Sequence, residues 1–393
     1  RVRITAQLIE VATDRHLWAK SYERDLKDIL ALQGEVAQAI AQEIKGKLTP
    51  EEEARLAHAH TVDPKAYEAY LKGRHHWYKR NDESLLRSLE YFREAVDVDP
   101  TWATAYVGLS DAYNVMGFYG TLPPGDTFPK AKTAATAALR LDPNLAEAYS
   151  GLGYTQHYYE WDWEASERSF RRAVSLNDNN AYIHLFYANL LAAMGRSVES
   201  IAEVERGHEL DPHATIIGTA RGWMACYARD LDGALRLLQE VVQAEPDFST
   251  AHAWISALYD IRGEYDLALA HALRTAALTA RGPWALTTLG RALAKLGRTS
   301  EAEAVLAEMH ELASRRYVSP YEMALVAEAL DRPDQAMDLL ERAHVNRANM
   351  LVLLRVEPRW DRLRSHPRFQ DLERRMAFPP VPSVAGATTA PAV

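Results

Sequence analysis

Apolar and polar positions alternate at the start of this chain and then change period. Val2, Ile4, Ala6 and Leu8 fall on one side, and Arg3, Thr5 and Gln7 on the other, the two-residue repeat of a strand. A turn-like "ATDR" follows, then "HLWAKSY", a second extended run, so the opening predicts a β-hairpin. A lone hairpin is marginal in water. This one is expected to lean on the next helix or on a domain outside this chain. From Ile29 the spacing switches to three and four. Ile29, Leu32, Val36, Ile40, Ile44 and Leu48 make one apolar stripe, which predicts a helix over 29–48. Thr49, Pro50 and Glu51 to Glu53 then occupy the N-cap, first and dipole-favoured positions of another helix start.

From Asp63 onward the pattern repeats. An acidic residue followed by proline closes an apolar helix at Asp99-Pro100, Asp142-Pro143, Asp211-Pro212 and Glu245-Pro246. Those markers are 43, 69 and 34 residues apart, and Asp178 divides the long gap near its middle, so the period settles at 34. Small residues recur where two helices must cross, as at Gly153, Ala268, Gly290, Ala302, Ala336 and Ala343. Large ones such as Tyr106, Leu109, Tyr113 and Tyr149 fall where one unit meets the next. Eight units result: about 64–102, 103–145, 146–180, 181–214, 215–248, 249–282, 283–316 and 319–348. The first carries "KRNDES" in its turn, the second about nine extra residues ("FYGTLPPGD"), and the third one extra near "YYEWDW". In the last unit Ser319 and Glu322 read as a capping box. Beyond it, a proline-broken stretch with Trp360, Leu363 and Phe369 as anchors is expected to cap the array, and residues 377–393 to form a disordered tail.

The composition narrows the chemistry. With 48% hydrophobic and 25% charged residues the chain is globular material. A net charge of -9 argues against direct nucleic-acid contact. No run of about 18 apolar residues suggests a membrane span. Cys226 is the only cysteine, which excludes a disulfide framework and a multi-cysteine metal site. His75 and His76 are adjacent, so on a helix they diverge and chelate poorly. Phosphate-loop, nucleophile-elbow, zincin and EF-hand patterns do not occur. No catalytic residue, metal or cofactor is expected. The aromatic knot "HYYEWDW" reads either as an aromatic cage or as a turn filler packed on the "FYG" insertion, and the filler reading is preferred.

The 34-residue period, its Leu-Gly then Tyr signature on the first helix and its Ala, aromatic or Leu, Ala signature on the second (Ala336, Leu340, Ala343) resemble the tetratricopeptide repeat. The opening "RITAQLIEVATDRHLWAKSYERDLKDILALQGEVAQAIAQEI" resembles the end of the TolB-like domain that precedes such repeats in bacterial signalling proteins, and the later stretches "KAYEAYLKGRHHW" and "VEPRWDRLRSHPRF" resemble the same group of proteins. This resemblance implies an all-α, right-handed α-solenoid of about eight helix-turn-helix repeats, preceded by a hairpin and helix remnant of an α/β domain. The expected organisation is 1–60 remnant and linker helix, 61–376 repeats with their cap, and 377–393 tail. An output domain upstream is implied: a CadC-type winged helix, a Ser/Thr kinase or an adenylate cyclase. The implied function is protein–protein interaction in a sensory or regulatory arm, with a partner protein or peptide in the concave groove and self-association as a further option. Alternatives are the recruiting arm of an upstream enzyme and a free-standing scaffold. The expected compartment is the cytoplasm, or the periplasm if a membrane helix lies upstream. First helices line the inner face of such arrays. The fifth, ninth and twelfth positions of each repeat then nominate Asp111, Asn114, Tyr154, His157, Asn189, Trp223, Asp260, Arg291 and Glu328 as groove residues.

Overall fold

A computed structural model describes residues 2–10, 15–24 and 62–381, together with positions 36 and 39. The helix expected over 29–48 and the helix start at Thr49 lie outside the described residues, as does 382–393. The chain forms two compact units, 1–108 and 109–393.

In the first unit, β1 (Val2–Glu10) and β2 (Arg15–Arg24) pair antiparallel. Ile4 opposes Tyr22 and Thr5 opposes Ser21, whose hydroxyls lie 2.9 Å apart. Tyr22 is buried, whereas Arg3, Thr5 and Ser21 on the other face are exposed, as is Lys20 on the face of Tyr22. A bulge after Leu8 shifts the register, and Ile9 pairs with His16. The first repeat follows as α1 (Pro64–Tyr78) and α2 (Asp82–Val98). The Asp63 carboxylate caps α1 by accepting from the Lys65 amide at 2.7 Å, and Asn81 caps α2 by accepting from Ser84 at 3.0 Å. Gly73 on α1 and Gly108 on α3 (Ala103–Tyr119) both press on the ring of Phe92, where any Cβ would collide with it.

The second unit takes up the remainder of α3 and continues with α4 (Pro124–Leu141), α5 (Ala146–Thr155), α6 (Trp163–Leu176), α7 (Ala181–Ala193) and α8 (Ser197–Leu210). Then come α9 (Thr215–Tyr227), α10 (Leu231–Ala244), α11 (Ser249–Arg262) and α12 (Tyr265–Leu278). The series ends with α13 (Pro283–Lys295), α14 (Thr299–Ala313), α15 (Pro320–Ala329) and α16 (Pro333–Val345). The fold is all-α apart from the hairpin: a tetratricopeptide-repeat solenoid of helix pairs at the predicted boundaries.

The insertions are absorbed by regular structure. The extra residues of the second repeat lengthen α3 and α4 to 17 and 18 residues, leaving only 120–123 as a turn. The single extra residue of the third becomes a π-turn over Gln156–Glu160, with the Asp162 amide donating to the Gln156 carbonyl at 3.0 Å. The knot packs on the insertion: Tyr158 lies 5.3 Å from Phe118, and Tyr159 stacks on Phe128 at 5.6 Å. One marker needs correction. The residue equivalent to the helix-ending acids is Asn177, not Asp178. Asp99, Asp142 and Asn177 each accept a bond from the amide two residues on, at 3.2, 2.9 and 3.1 Å. This Asx-turn needs a side-chain oxygen, not a charge.

The period is also written in the backbone. Trp161, Gly195, Arg229, Gly263, Gly297 and Asp331, each 34 residues after the last, all adopt positive φ, between 59° and 79°, at the corner between the two helices of a repeat.

The segment after α16 does more than cap the array. It runs through the short helices Asn349–Leu353 and Pro358–Leu363 into α17 (Pro367–Arg375), and passes back over earlier repeats of the same unit. Asn349 donates to the Phe118 carbonyl at 3.0 Å, and Arg347 reaches the carbonyls of Tyr159 and Glu160 at 3.3 Å. Arg229 grips Asp361 with two bonds of 2.7 and 3.0 Å. The Trp360 indole donates to the Tyr321 hydroxyl at 2.9 Å, and the Trp163 indole to the Met376 carbonyl at 3.0 Å. Trp360 and Phe369 are fully buried. Packed structure also continues past Met376, for Phe378 is buried 5.0 Å from the Trp163 ring. Contacts in a repeat array normally join neighbours. This strap, residues 346–381, joins residues up to 231 apart.

Candidate functional site

The nominated groove residues turn inward to link successive repeats. Asn114 is buried, donates to the Gly151 carbonyl at 3.0 Å and accepts from the Thr155 hydroxyl at 2.9 Å. Asn189 accepts from the Trp223 indole at 3.2 Å, and the buried Trp223 packs on Trp254 at 5.6 Å. Arg291, 4% exposed, bonds Asp260 at 2.6 Å, Glu328 at 2.9 Å and the Leu325 carbonyl at 2.6 Å. Lys295 and the strap's Arg362 approach Glu328 at 3.8 and 3.5 Å. Burial works against the Arg291 charge, but Asp260 and Glu328 outweigh it and hold its pKa above the usual guanidinium range. Tyr154 is buried against Tyr158 and Phe186. His157 is fully buried 4.2 Å from the Tyr158 ring, and burial pushes its pKa down to about 3. Asp111 is half-buried. The expectation of polar, accessible groove positions is therefore corrected. At the ninth and twelfth positions of these first helices Asn114, Asn189, Trp223, Asp260, Arg291 and Glu328 bond across successive repeats, whereas neither ring nitrogen of the buried His157 finds a partner.

An open cleft lies one register step away. The empty space among its lining residues, open solvent included, is about 520 Å³. Tyr227 on α9, Trp254 on α11, Trp284 on α13, and Tyr321 and Glu322 on α15 line it, with the strap's Met350, Leu353, Glu357 and Arg359 closing one wall. Ala253, Thr287 and Tyr321 are spaced by 34 residues, as are Trp254, Thr288 and Glu322, so the repeat register itself builds the lining. Glu357 and Arg359 form a buried bidentate pair with both contacts at 2.8 Å. Burial alone would raise the Glu357 pKa, but Arg359 reverses this and holds it below the ordinary carboxylate value. Glu322 differs. Burial pushes its pKa up to about 8, against a hydrogen bond from the Trp284 indole and the charges of Arg359 and Arg316.

The sequence pointed away from Glu322 by presenting it as half of a capping box. Only its amide serves the helix start, donating to the Ser319 carbonyl at 3.1 Å, and the Ser319 side chain makes no cap bond. Its register with Trp254 was the signal that could have found it. Among the described residues no group of three or more His, Cys, Asp or Glu is arranged to hold a metal ion, and no helix is long and apolar enough to cross a membrane. Cys226 is buried, and burial pushes its thiol up to about 12.

No protein-family model matches the chain. It is 37% identical over 110 residues to putative adenylate cyclase 3 of Rhizobium meliloti, covering 28% of this chain and 19% of that protein. It is 26% identical over 172 residues to the transcriptional regulator HilA of Salmonella typhimurium, covering 44% and 31%. The chain thus spans about a fifth and a third of the length of these relatives. Among solved structures it is similar to the APC/C hetero-tetramer Cut9–Hcn1, with a TM-score of 0.52 and 14% identity over 74% of this chain and 52% of that one. That is a likeness of fold, and the fold is the tetratricopeptide-repeat solenoid.

Proposed function

We propose that this chain is the protein-interaction and regulatory arm of a bacterial signalling protein, binding a partner protein or peptide on the inner face of its repeats. The cleft carries this reading. It is lined by first helices of four repeats, and its Trp254 and Trp284 are half-buried aromatic anchors of the kind that dominate binding energy. The names of the two relatives, a cyclase and a transcriptional regulator, support a signalling setting, as does the sequence resemblance of the opening segment to the end of a TolB-like domain. A second reading is the recruiting arm of an adenylate cyclase, favoured by the 37% identity to the Rhizobium protein.

The test places a photo-crosslinking amino acid at Trp254 and, as a control, at Val198, which is 84% exposed on α8. The expected outcome is one partner captured in the native cell from position 254 and not from 198. Equal labelling from both sites, or none from 254, defeats the inner-face assignment.

A further inference from the structure

The cleft holds two polar atoms that the protein itself leaves unsatisfied. Glu322 is 7% exposed, and its Oε2 has no hydrogen-bond partner. The Tyr227 hydroxyl, 6% exposed, also has none. Buried polar atoms without partners are costly and uncommon, and both residues line the cleft. The other charges of the lining are spent, since Glu357 and Arg359 neutralise each other. What remains is one carboxyl and one hydroxyl among the aromatic walls of Trp254, Trp284 and Tyr321.

That combination suits an organic cation. An ammonium N–H can donate to the free carboxyl oxygen, its charge can lie over an indole face, and an apolar body can fill the remaining volume. An anion would meet the carboxyl with no free cation to receive it. We propose that the cleft between α9, α11, α13, α15 and the strap is a binding site for a primary ammonium on a small apolar body, held by Glu322 and the rings of Trp254 and Trp284. The proposal rests on the reading of this cleft as the binding face and names the chemistry that the cleft takes. The ammonium can come from a free amine or from the amino terminus of a peptide.

One consequence is measurable. Empty, Glu322 is mostly protonated at pH 7 because burial raises its pKa, with Arg359 and Arg316 as the charged groups bearing on it. A bound ammonium stabilises the carboxylate, so the carboxyl proton leaves to the buffer as the ion pair forms.

The experiment titrates the full chain at pH 7 with benzylamine hydrochloride and with benzyl alcohol, by calorimetry in two buffers of different ionisation enthalpy. The expected result is benzylammonium binding roughly tenfold or more tightly than the alcohol, with proton release. Glu322→Gln should abolish the release and weaken the amine by about tenfold or more, and Trp254→Leu should weaken it without abolishing the release. Equal affinity for amine and alcohol, no effect of Glu322→Gln, or no amine binding at all overturns the site. Circular dichroism of Glu322→Gln confirms that the variant is folded. Phe-Gly-Gly with free and acetylated amino termini separates the sources. A free tripeptide tighter than benzylamine identifies a peptide terminus, and a weaker one identifies a small amine.

Discussion

Six corners of the array share one backbone conformation but not one residue type. Gly263 and Gly297 meet it without cost, and a Cβ at Gly297 would find open space. Trp161, Arg229 and Asp331 adopt it with full side chains, at about 1 kcal/mol or more each. All three touch the strap: Arg347 lies over the Trp161 ring at 4.3 Å, Arg229 grips Asp361, and Asp331 accepts from Arg362 at 2.6 Å. Gly195 also faces the strap, but a Cβ there would come within 3.1 Å of Val381. The difference teaches that strain is kept where a side chain secures a long-range contact. Glycine is kept where there is nothing to hold or no room.

The largest way to break this comparison is to end the chain after Val345. That removes the buried Leu351, Trp360, Phe369 and Leu372, and should cost more than about 5 kcal/mol, since each such side chain is worth roughly 1.5–3 kcal/mol. Hydrogen exchange should show protection falling in α13 to α16. An unchanged urea midpoint would mean that the strap is not part of the core.

Next is Arg291→Met, which strands Asp260 and Glu328 and should cost about 3–5 kcal/mol in urea unfolding. Asn114→Ala, breaking the neutral link in the same register, should cost about 1–3 kcal/mol. Equal losses would erase the distinction between charged and neutral links.

The pH dependence tests the strap from another side. The folded pKa of Glu322, about 8, lies above the ordinary 4.5, so the folded state holds the extra proton between those values. Stability should fall as pH rises through that window, by roughly 3–5 kcal/mol in all, with the loss complete above pH 8. Glu322→Gln should flatten the fall. Removing the strap should do the same, because Met350, Leu353 and Glu357 close the wall that keeps water out. A fall of unchanged size in Glu322→Gln would assign it to another group.

The smallest effects sharpen the comparison itself. Gly263→Ala should cost about 1 kcal/mol. Asp331→Gly should gain a few tenths of a kcal/mol, because the strain it relieves exceeds an exposed ion pair. Arg229→Gly should be near neutral, since the relief is offset by the two bonds to Asp361. Thermal midpoints in the intact and strap-deleted chains check this. Arg229→Gly becomes stabilising only without the strap.

Much of the fold was legible because repeat structure is local. The hairpin followed from strict alternation, and every helix pair followed from the 34-residue period. The Phe118–Tyr158 contact confirmed that the aromatic knot fills space. The candidate site was legible only in part. A polar residue at the ninth or twelfth position carries no local sign of whether water or the next repeat will satisfy it. Asn189 and Trp223 satisfy each other, whereas Oε2 of Glu322 finds no partner.

Period, helix boundaries, glycine-mediated crossings and corner conformations were set by residues within one repeat or its neighbour, and the chain displays them without any knowledge of shape. The path of the strap depends on residues 132 to 231 positions apart, and the closing of the cleft over Glu322 depends on that path. The sequence marks Trp360 and Phe369 as residues that must be buried, but hydrophobic burial has no direction, so only the folded array decides what buries them.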